Sequence, residues 1–463
     1  MASPASVASA TDGGPVGARA AWLIDIAALC LLKAAIGAWI LAMGFSHVSD
    51  DDYARTVIAE QFAHAPRLDP SGTSWLPLPF WIVGGAMMLL GRSLASARAI
   101  ACMLGAIGVA APYAAMRDVG VSRAAALTST AIAMAIPWNA WLGVAMVPDG
   151  WTGALVAAGA IAMSTGAVNS RSRRAWAAAA LLAASLSRYE AWPVCALFVV
   201  QSAGRVVAAV RTPPSPSRAT EIRREVAWAV VAAAGPVLWM AWNAYAHGSP
   251  VHFIARVTAF RRAIGAADVP FQDKLLGYPR ALFEETPEVI VALWPACIGV
   301  AVHRELRRRW AWGSIAAVVV LAFLVGGDLG DGAPTHHPAR ALASLWWIVT
   351  GMGVDAIVAG VQMLRGDARR GVAAAAAVLA IGWCATLPAR WRASPGRGAS
   401  DQRDVQIARG LDLRARGVVG ADITPCSFEH FALLAGWGEP ERAHVAPRTG
   451  SLPTNDCPVV TER

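Results

Sequence analysis

Long apolar segments recur along this chain, at about 21–43, 97–116, 124–141, 150–168, 175–187, 191–210, 226–246, 286–303, 310–326, 340–363 and 371–388. Crossing a hydrocarbon layer of about 30 Å takes roughly 20 helical residues at about 1.5 Å each. The chain therefore reads as an all-α polytopic membrane protein with about 11 transmembrane helices. Composition agrees. Of 463 residues, 56% are hydrophobic and only 15% charged, and mean hydropathy is +0.46, whereas a soluble globular protein carries roughly 25% charged residues. A soluble enzyme, a secreted disulfide scaffold and a disordered tail protein are excluded.

The net charge of +9 does not point to nucleic acid, because the basic residues are spread over loops instead of forming one face. Of 40 basic residues only Lys33 and Lys274 are lysine, a bias that matches the heavy alanine usage and says little about function. Arginine placement does set topology, since cytoplasmic loops are enriched in Lys and Arg. The rich loops hold Arg171, Arg173 and Arg174; Arg205, Arg211, Arg218, Arg223 and Arg224; Arg304, Arg307, Arg308 and Arg309; and Arg365, Arg369 and Arg370, with a smaller pair at Arg117 and Arg123. All fall on one side only if the short apolar segment 76–91 does not cross and instead lies as a juxtamembrane or re-entrant helix in the first outer loop. The N-terminus is then cytoplasmic and the tail from about 389 extracytoplasmic, and the outer face carries the long loops 44–96 and 247–285.

Three units follow: a disordered cytoplasmic tail over 1–20, a membrane domain over 21–388, and a small extracytoplasmic segment of mixed α/β character over 389–463. In that last segment an extended run Gly417–Ile423 precedes a helix near Phe428–Leu434. Cys30, Cys102, Cys195, Cys297 and Cys384 lie in apolar spans, while Cys426 and Cys457 lie in the tail, where an oxidising compartment lets a disulfide persist.

The residues able to carry chemistry gather at the outer face. Ser49-Asp50-Asp51-Asp52-Tyr53 follows the first span directly. Three successive carboxylates repel one another and favour a raised pKa, a cation or a proton-donating substrate. A helix start also fits, with Ser49 and Asp52 spaced as a capping box. Trp75 to Trp81, rich in proline and aromatics, suits either an interfacial anchor or a wall for a lipid-linked substrate. Asp149 is the only acid of the second outer loop. Arg188 and Glu190 flank Tyr189 between two spans and fit an ion pair as well as a binding role. His336 and His337 precede Arg340; adjacent histidines are too few for a zinc site, whereas the Arg340 fork suits a phosphate oxygen pair. Arg256, Arg261, Arg262 and Arg280 add outward positive charge to the loop 247–285, against the positive-inside trend.

Taken in order, the pattern resembles the C-type glycosyltransferases, polytopic enzymes that take sugar from a polyprenyl-phosphate carrier on the extracytoplasmic face. Protein O-mannosyltransferases and the lipid A aminoarabinose transferase are relatives. The resemblance covers about residues 21–350. It rests on Asp50-Asp51 with Tyr53, the Trp75–Trp81 juxtamembrane helix, Asp149 opening a span, and the turn Arg188-Tyr189-Glu190. It implies an integral protein of a bacterial inner membrane, with Asp50 or Asp51 as general base, Asp149 sharing the catalytic work, and an inverting transfer to an acceptor hydroxyl or amine. Asp52, Tyr53, Trp75, Arg188, Glu190, His336, His337 and Arg340 would bind substrate. Donor, acceptor and bilayer are the partners implied. No cofactor is required, although a divalent cation bridging Asp50 or Asp51 to Asp149 is compatible with the pattern. The competing class is a transporter or lipid-linked-sugar flippase. Such proteins place ionisable residues near mid-membrane, and here only Asp25 and Lys33 lie inside the first span.

Overall fold

The computed structural model describes residues 15–72, 74–164, 170–213, 216–263, 269–332, 337–395, 400–446 and 458–463. Helix α1 (Pro15–Ala42) starts inside the expected N-terminal tail, so only the part of that tail before Pro15 lies outside the described residues. The first long loop folds into α2 (Asp51–His64) and the apolar α3 (Leu78–Leu90). Pro77 and Pro79 open α3, and Gly91, at φ 88°, closes it in a conformation that a side chain would disfavour. With 13 residues α3 is about 20 Å long, short of a crossing.

Helices α4 (Leu94–Gly108) and α5 (Ala110–Asp118) together form one long apolar unit. The single span expected over 124–141 is instead broken into α6 (Arg123–Ala135) and α7 (Pro137–Leu142). Proline disfavours helical backbone at the residue before it, and Ile136 sits at φ −50°, ψ 130°. There follow α8 (Asp149–Ala162), α9 (Ser170–Ser185), α10 (Trp192–Arg211) and α11 (Arg218–His247). Two helices, α12 (His252–Ala263) and α13 (Phe271–Glu285), occupy the second long loop. The bundle ends with α14 (Pro287–Val302), α15 (Arg304–Leu329), the single turn α16 (Pro338–Ala341), α17 (Ala343–Met363) and α18 (Gly366–Arg392).

Among the described residues, seven helices are long and apolar enough to cross a membrane, or up to eight if α13 and α14, bent by 97°, count as one. The chain is thus a mostly helical membrane protein, but eleven full-length spans are not found. Helices α6, α8, α9 and α14 stand where spans were expected yet have 13, 14, 16 and 16 residues. For α8 the reason is packing. Nearly every residue in it is buried by protein, so its hydropathy belongs to a core and not to a lipid-facing surface. Helix α18, by contrast, buries only Leu387. Helices α8 and α17 touch at Gly153, where a Cβ would lie 2.5 Å from that of Ala343. This contact sets the N-terminal end of α8 beside α16.

The C-terminal part forms α19 (Ser400–Ala415), β1 (Ala421–Thr424), α20 (His430–Trp437), β2 (Ala443–Val445) and β3 (Val459–Glu462). Strand β1 lies central, parallel to β2 and antiparallel to β3, close to the mixed α/β segment expected. This segment does not stand apart. Leu413, Ile423, Leu433 and Trp437 share one apolar cluster with Tyr53 and Val57 of α2. Cys426 is disulfide-bonded; Cys457 lies outside the described residues.

Candidate active site

The three aspartates after α1 go to three different places. An α-helix turns about 100° per residue, so neighbours at its start cannot share one direction. Asp50, at the N-cap of α2, makes a two-pronged pair with Arg403 of α19, at 2.7 and 2.9 Å. Asp51 accepts from Arg340 Nη2 at 2.7 Å. Asp52 turns inward and is 4% exposed. Its Oδ2 takes the backbone N–H groups of Val48 and Ser49, and its Oδ1 those of Met146 and Val147. The capping box is therefore half formed: Asp52 reaches back to the Ser49 N–H, while the N-cap residue Asp50 makes no side-chain cap bond. Burial pushes the Asp52 carboxyl up, against the pull of these backbone donors. Asp52 thus staples the segment after α1 to the one before α8, its oxygens taken up by backbone donors. Tyr53 is likewise turned away. It is fully buried, bonded to Ser46 Oγ at 2.8 Å and close to His47 Nδ1, and burial raises its hydroxyl to about 12.

Asp149 opens α8 with its side chain fully buried, 3.2 Å from Arg188 Nη2 and 3.8 Å from Arg340 Nε. Neither of its carboxylate oxygens accepts a hydrogen bond. Arg188 donates to Glu190 from two of its three nitrogens, Nε at 3.1 Å and Nη2 more closely. Burial alone would lower the Arg188 pKa; Asp149 and Glu190 overcome that and hold it above its ordinary value. Arg340 follows the same logic, with Asp51 and Asp149 opposing burial. Its Nη1 also donates to Ser49 Oγ at 3.1 Å. Arg340 is aimed by a strained entry into α16: His337 has φ 52°, a conformation costly for a non-glycine residue, and about 1–3 kcal/mol is the usual scale. The His337 ring lies 5.5 Å from that of Trp138, and His336 lies outside the described residues.

Asp51, Asp149, Arg188, Glu190 and Arg340, singled out from four separate stretches of sequence, thus meet beyond the C-terminal end of α1. A small cleft opens beside them, lined by Asp149, Thr152, Arg188, Glu190, Arg340 and Ser344. Several of its polar atoms are left over: both Asp149 oxygens, Arg340 Nε, Thr152 Oγ1 and Ser344 Oγ. Buried polar groups are normally satisfied, so the surplus marks a place built for a polar guest. Asp50 lies to one side, on the C-terminal segment. Two of the four loop arginines pair with nearby acids: Arg261 with Asp328 at 2.7 Å and Arg280 with Asp273 at 3.6 Å.

Sequence reasoning missed Arg55, Thr152, Ser344 and Arg403. Arg55 stands one turn after Asp51 on α2 and is 3% exposed. Its guanidinium lies 4.4 Å from the centre of the half-buried Trp75 ring, which stacks in turn on Phe80. Burial lowers the Arg55 pKa to about 10. The i, i+4 spacing from Asp51 was the available signal; Thr152 had a similar one, three residues after Asp149. Ser344 and Arg403 had none. Asp50 faces Arg403, Asp51 faces Arg340, and Asp149 faces both Arg188 and Arg340; among the described residues no group of three His, Cys, Asp or Glu converges.

No protein-family model matches the sequence, and no curated protein matches it. Among solved structures, ArnT from Cupriavidus metallidurans is similar in its apo state (15% identity, 91% of this chain and 75% of that one, TM-score 0.46). The same protein bound to undecaprenyl phosphate gives 14% identity over 90% and 75%, with a TM-score of 0.48. The archaeal oligosaccharyltransferase AglB from Archaeoglobus fulgidus, in complex with an inhibitory peptide and a dolichol-phosphate, gives 12% over 83% and 58%, with a TM-score of 0.46. At these scores the likeness carries no functional argument, and the reading that follows rests on the site itself.

Proposed function

We propose that the protein is a membrane glycosyltransferase that moves a hexosyl or pentosyl group from a polyprenyl-phosphate carrier to an acceptor hydroxyl or amine. One observation carries this reading: half-buried Asp51 on the buried Arg340, and buried Asp149 between Arg340 and Arg188, beside a pocket with unspent polar atoms. Carboxylates beside guanidinium groups suit a reaction in which a proton is removed on one side and a phosphate leaves on the other. Asp51 is the general base in this scheme, because it shares Arg340 with the pocket, whereas Asp50 is occupied by Arg403. The acceptor oxygen or nitrogen attacks the anomeric carbon from the face opposite the phosphate, giving inversion. Arg340 and Arg188 take the charge that builds on the leaving oxygen. Asp149 holds the two guanidinium groups together and keeps an open edge for the sugar.

The site faces the extracytoplasmic side of a bacterial inner membrane, with the N-terminus cytoplasmic and the C-terminal segment outside. Arginine placement supports this, and so does the bonded state of Cys426, which suits an oxidising compartment. Membranes containing the protein are assayed for transfer from radiolabelled polyprenyl-phosphate sugars. Wild type consumes donor, and Asp51→Asn loses about 10²–10⁴-fold in rate at equal protein level. If Asp51→Asn transfers as wild type does, the base assignment is wrong. If wild type consumes none of a broad donor panel, the transferase reading falls.

A further inference from the structure

The arginines near the site differ in how their charge is met. Arg188 has Glu190 and Asp149, Arg340 has Asp51 and Ser49, and Arg403 has Asp50. Arg55 is as deeply buried as any of them, yet its Nε and Nη1 make no hydrogen bond, and among the described residues no carboxylate lies within ion-pair distance of it. Trp75 takes only the flat face of the guanidinium. The N–H edge, where arginine binds oxyanions through two parallel bonds, stays free. Arg55 stands one turn after Asp51 on α2, and its charge is felt by Asp51, Asp149, Arg188 and Arg340, which puts the guanidinium beside the same site. A buried guanidinium without an anion is costly to keep, and this one stands one turn along α2 from the base.

We propose that Arg55 is a phosphate ligand: its free edge binds the oxygens of a phosphate monoester or diester, with Trp75 as the platform that fixes the guanidinium plane. The proposal rests on the carrier-phosphate reading given above. When the bond between the anomeric carbon and oxygen breaks, its electron pair stays on the phosphate. A singly charged diester becomes a doubly charged monoester, while the acceptor proton passes to Asp51. A third guanidinium meets that added charge.

The test uses the full chain in detergent, with farnesyl phosphate, farnesol and inorganic phosphate as probes, read by thermal shift and by equilibrium binding. Wild type binds farnesyl phosphate and is stabilised by it, and farnesol has little effect. Arg55→Met weakens farnesyl phosphate binding by about tenfold or more and leaves farnesol binding unchanged. Arg55→Lys, which keeps the charge but not the fork, falls between the two. Because the free protein gives the Arg55 N–H edge no acceptor, and the Met side chain can still pack on Trp75, the ligand-free Tm of Arg55→Met stays at or above that of wild type. Competition by inorganic phosphate that vanishes in Arg55→Met supports recognition of the headgroup alone. Farnesyl phosphate binding within twofold of wild type in Arg55→Met overturns the assignment while leaving the transferase reading intact. So does a fall in ligand-free Tm with unchanged affinity, which marks a purely structural role. Failure of wild type to bind farnesyl phosphate removes the carrier-phosphate reading itself.

Discussion

The two ends of α1 carry two kinds of buried charge. Near its N-terminal end, Asp25 accepts from Tyr113 at 2.6 Å and from two nitrogens of Arg123 at 2.7 and 2.8 Å. On the same side of the bundle, Asp355 accepts from Arg309 at 2.7 Å and from Trp310 at 2.9 Å. Beyond the C-terminal end of α1, Asp149, Arg340 and Arg55 sit close together with polar atoms to spare. Both ends contain acids, arginines and burial. What separates Asp25 and Asp355 from Asp149 is saturation: the first two accept hydrogen bonds that hold helices together, while both Asp149 oxygens are left without one. Lys33, between the two, belongs to the first kind, because it donates to the carbonyls of Met134 and Asn139. This counts against reading it as part of a transport path.

The largest effect that tests this contrast is Arg340→Gln. It removes the pair with Asp51 and the contact to Asp149, and transfer falls by about 10²–10³-fold. Asp25→Asn, at the other end, leaves transfer per folded molecule within about twofold. Equal losses of transfer in the two variants would erase the distinction between the ends.

Next comes Asp355→Asn, which takes the charge from Arg309 and weakens the bond to Trp310. Stability drops by about 2–3 kcal/mol, the Arg309 side chain being partly exposed, and the rate of the folded fraction is unchanged. A variant that keeps its Tm but loses rate would move Asp355 into the catalytic machinery.

Asp52→Asn is smaller still. An amide cannot accept from four backbone N–H groups, and the mismatch costs about 1–3 kcal/mol, seen as a lower Tm and faster proteolysis of the loop at Met146. A Tm equal to that of wild type would show that the staple carries no load.

The smallest effect is at Glu60 of α2, whose two oxygens are buried without a partner and whose carboxyl burial pushes well above its ordinary value of 4.5. Arg92 and Arg414 pull the other way and Glu441 reinforces the rise. The folded chain keeps a proton that the unfolded chain gives up, so stability falls as pH rises from the unfolded pKa toward the folded one. Glu60→Gln removes that loss. Its Tm exceeds that of wild type at pH 8 and matches it at pH 4. A lower Tm at pH 8 would mean that Glu60 is paired as a carboxylate.

Much of the site could be read in the sequence because its parts are rare in their settings. Asp149 is a lone acid in an apolar stretch, Arg340 opens a span, and Arg188 and Glu190 sit in a turn too short to hide them. The aspartate triplet was legible as a group but not residue by residue, since only the helix start at Asp51 decides which carboxylate points where. Arg403 could not be anticipated, because its contact with Asp50 depends on the C-terminal segment docking on α2. The packing of Tyr53 against that segment was hidden for the same reason. In the bundle, hydropathy located the helices but not their lengths. It cannot tell a helix buried by protein, such as α8, from one buried by lipid, and it does not register a break such as that at Pro137.

The pairing of Asp51 with Arg340 joins residues 289 positions apart, and that of Asp50 with Arg403 joins residues 353 apart. During synthesis the aspartates emerge first and wait for Arg340 and then Arg403 to be made. A nascent or prematurely terminated chain can hold helices α1 to α15 in a membrane and still own no working centre. On the proposed reading, catalytic competence thereby waits until the chain has been made as far as Arg340 and α16.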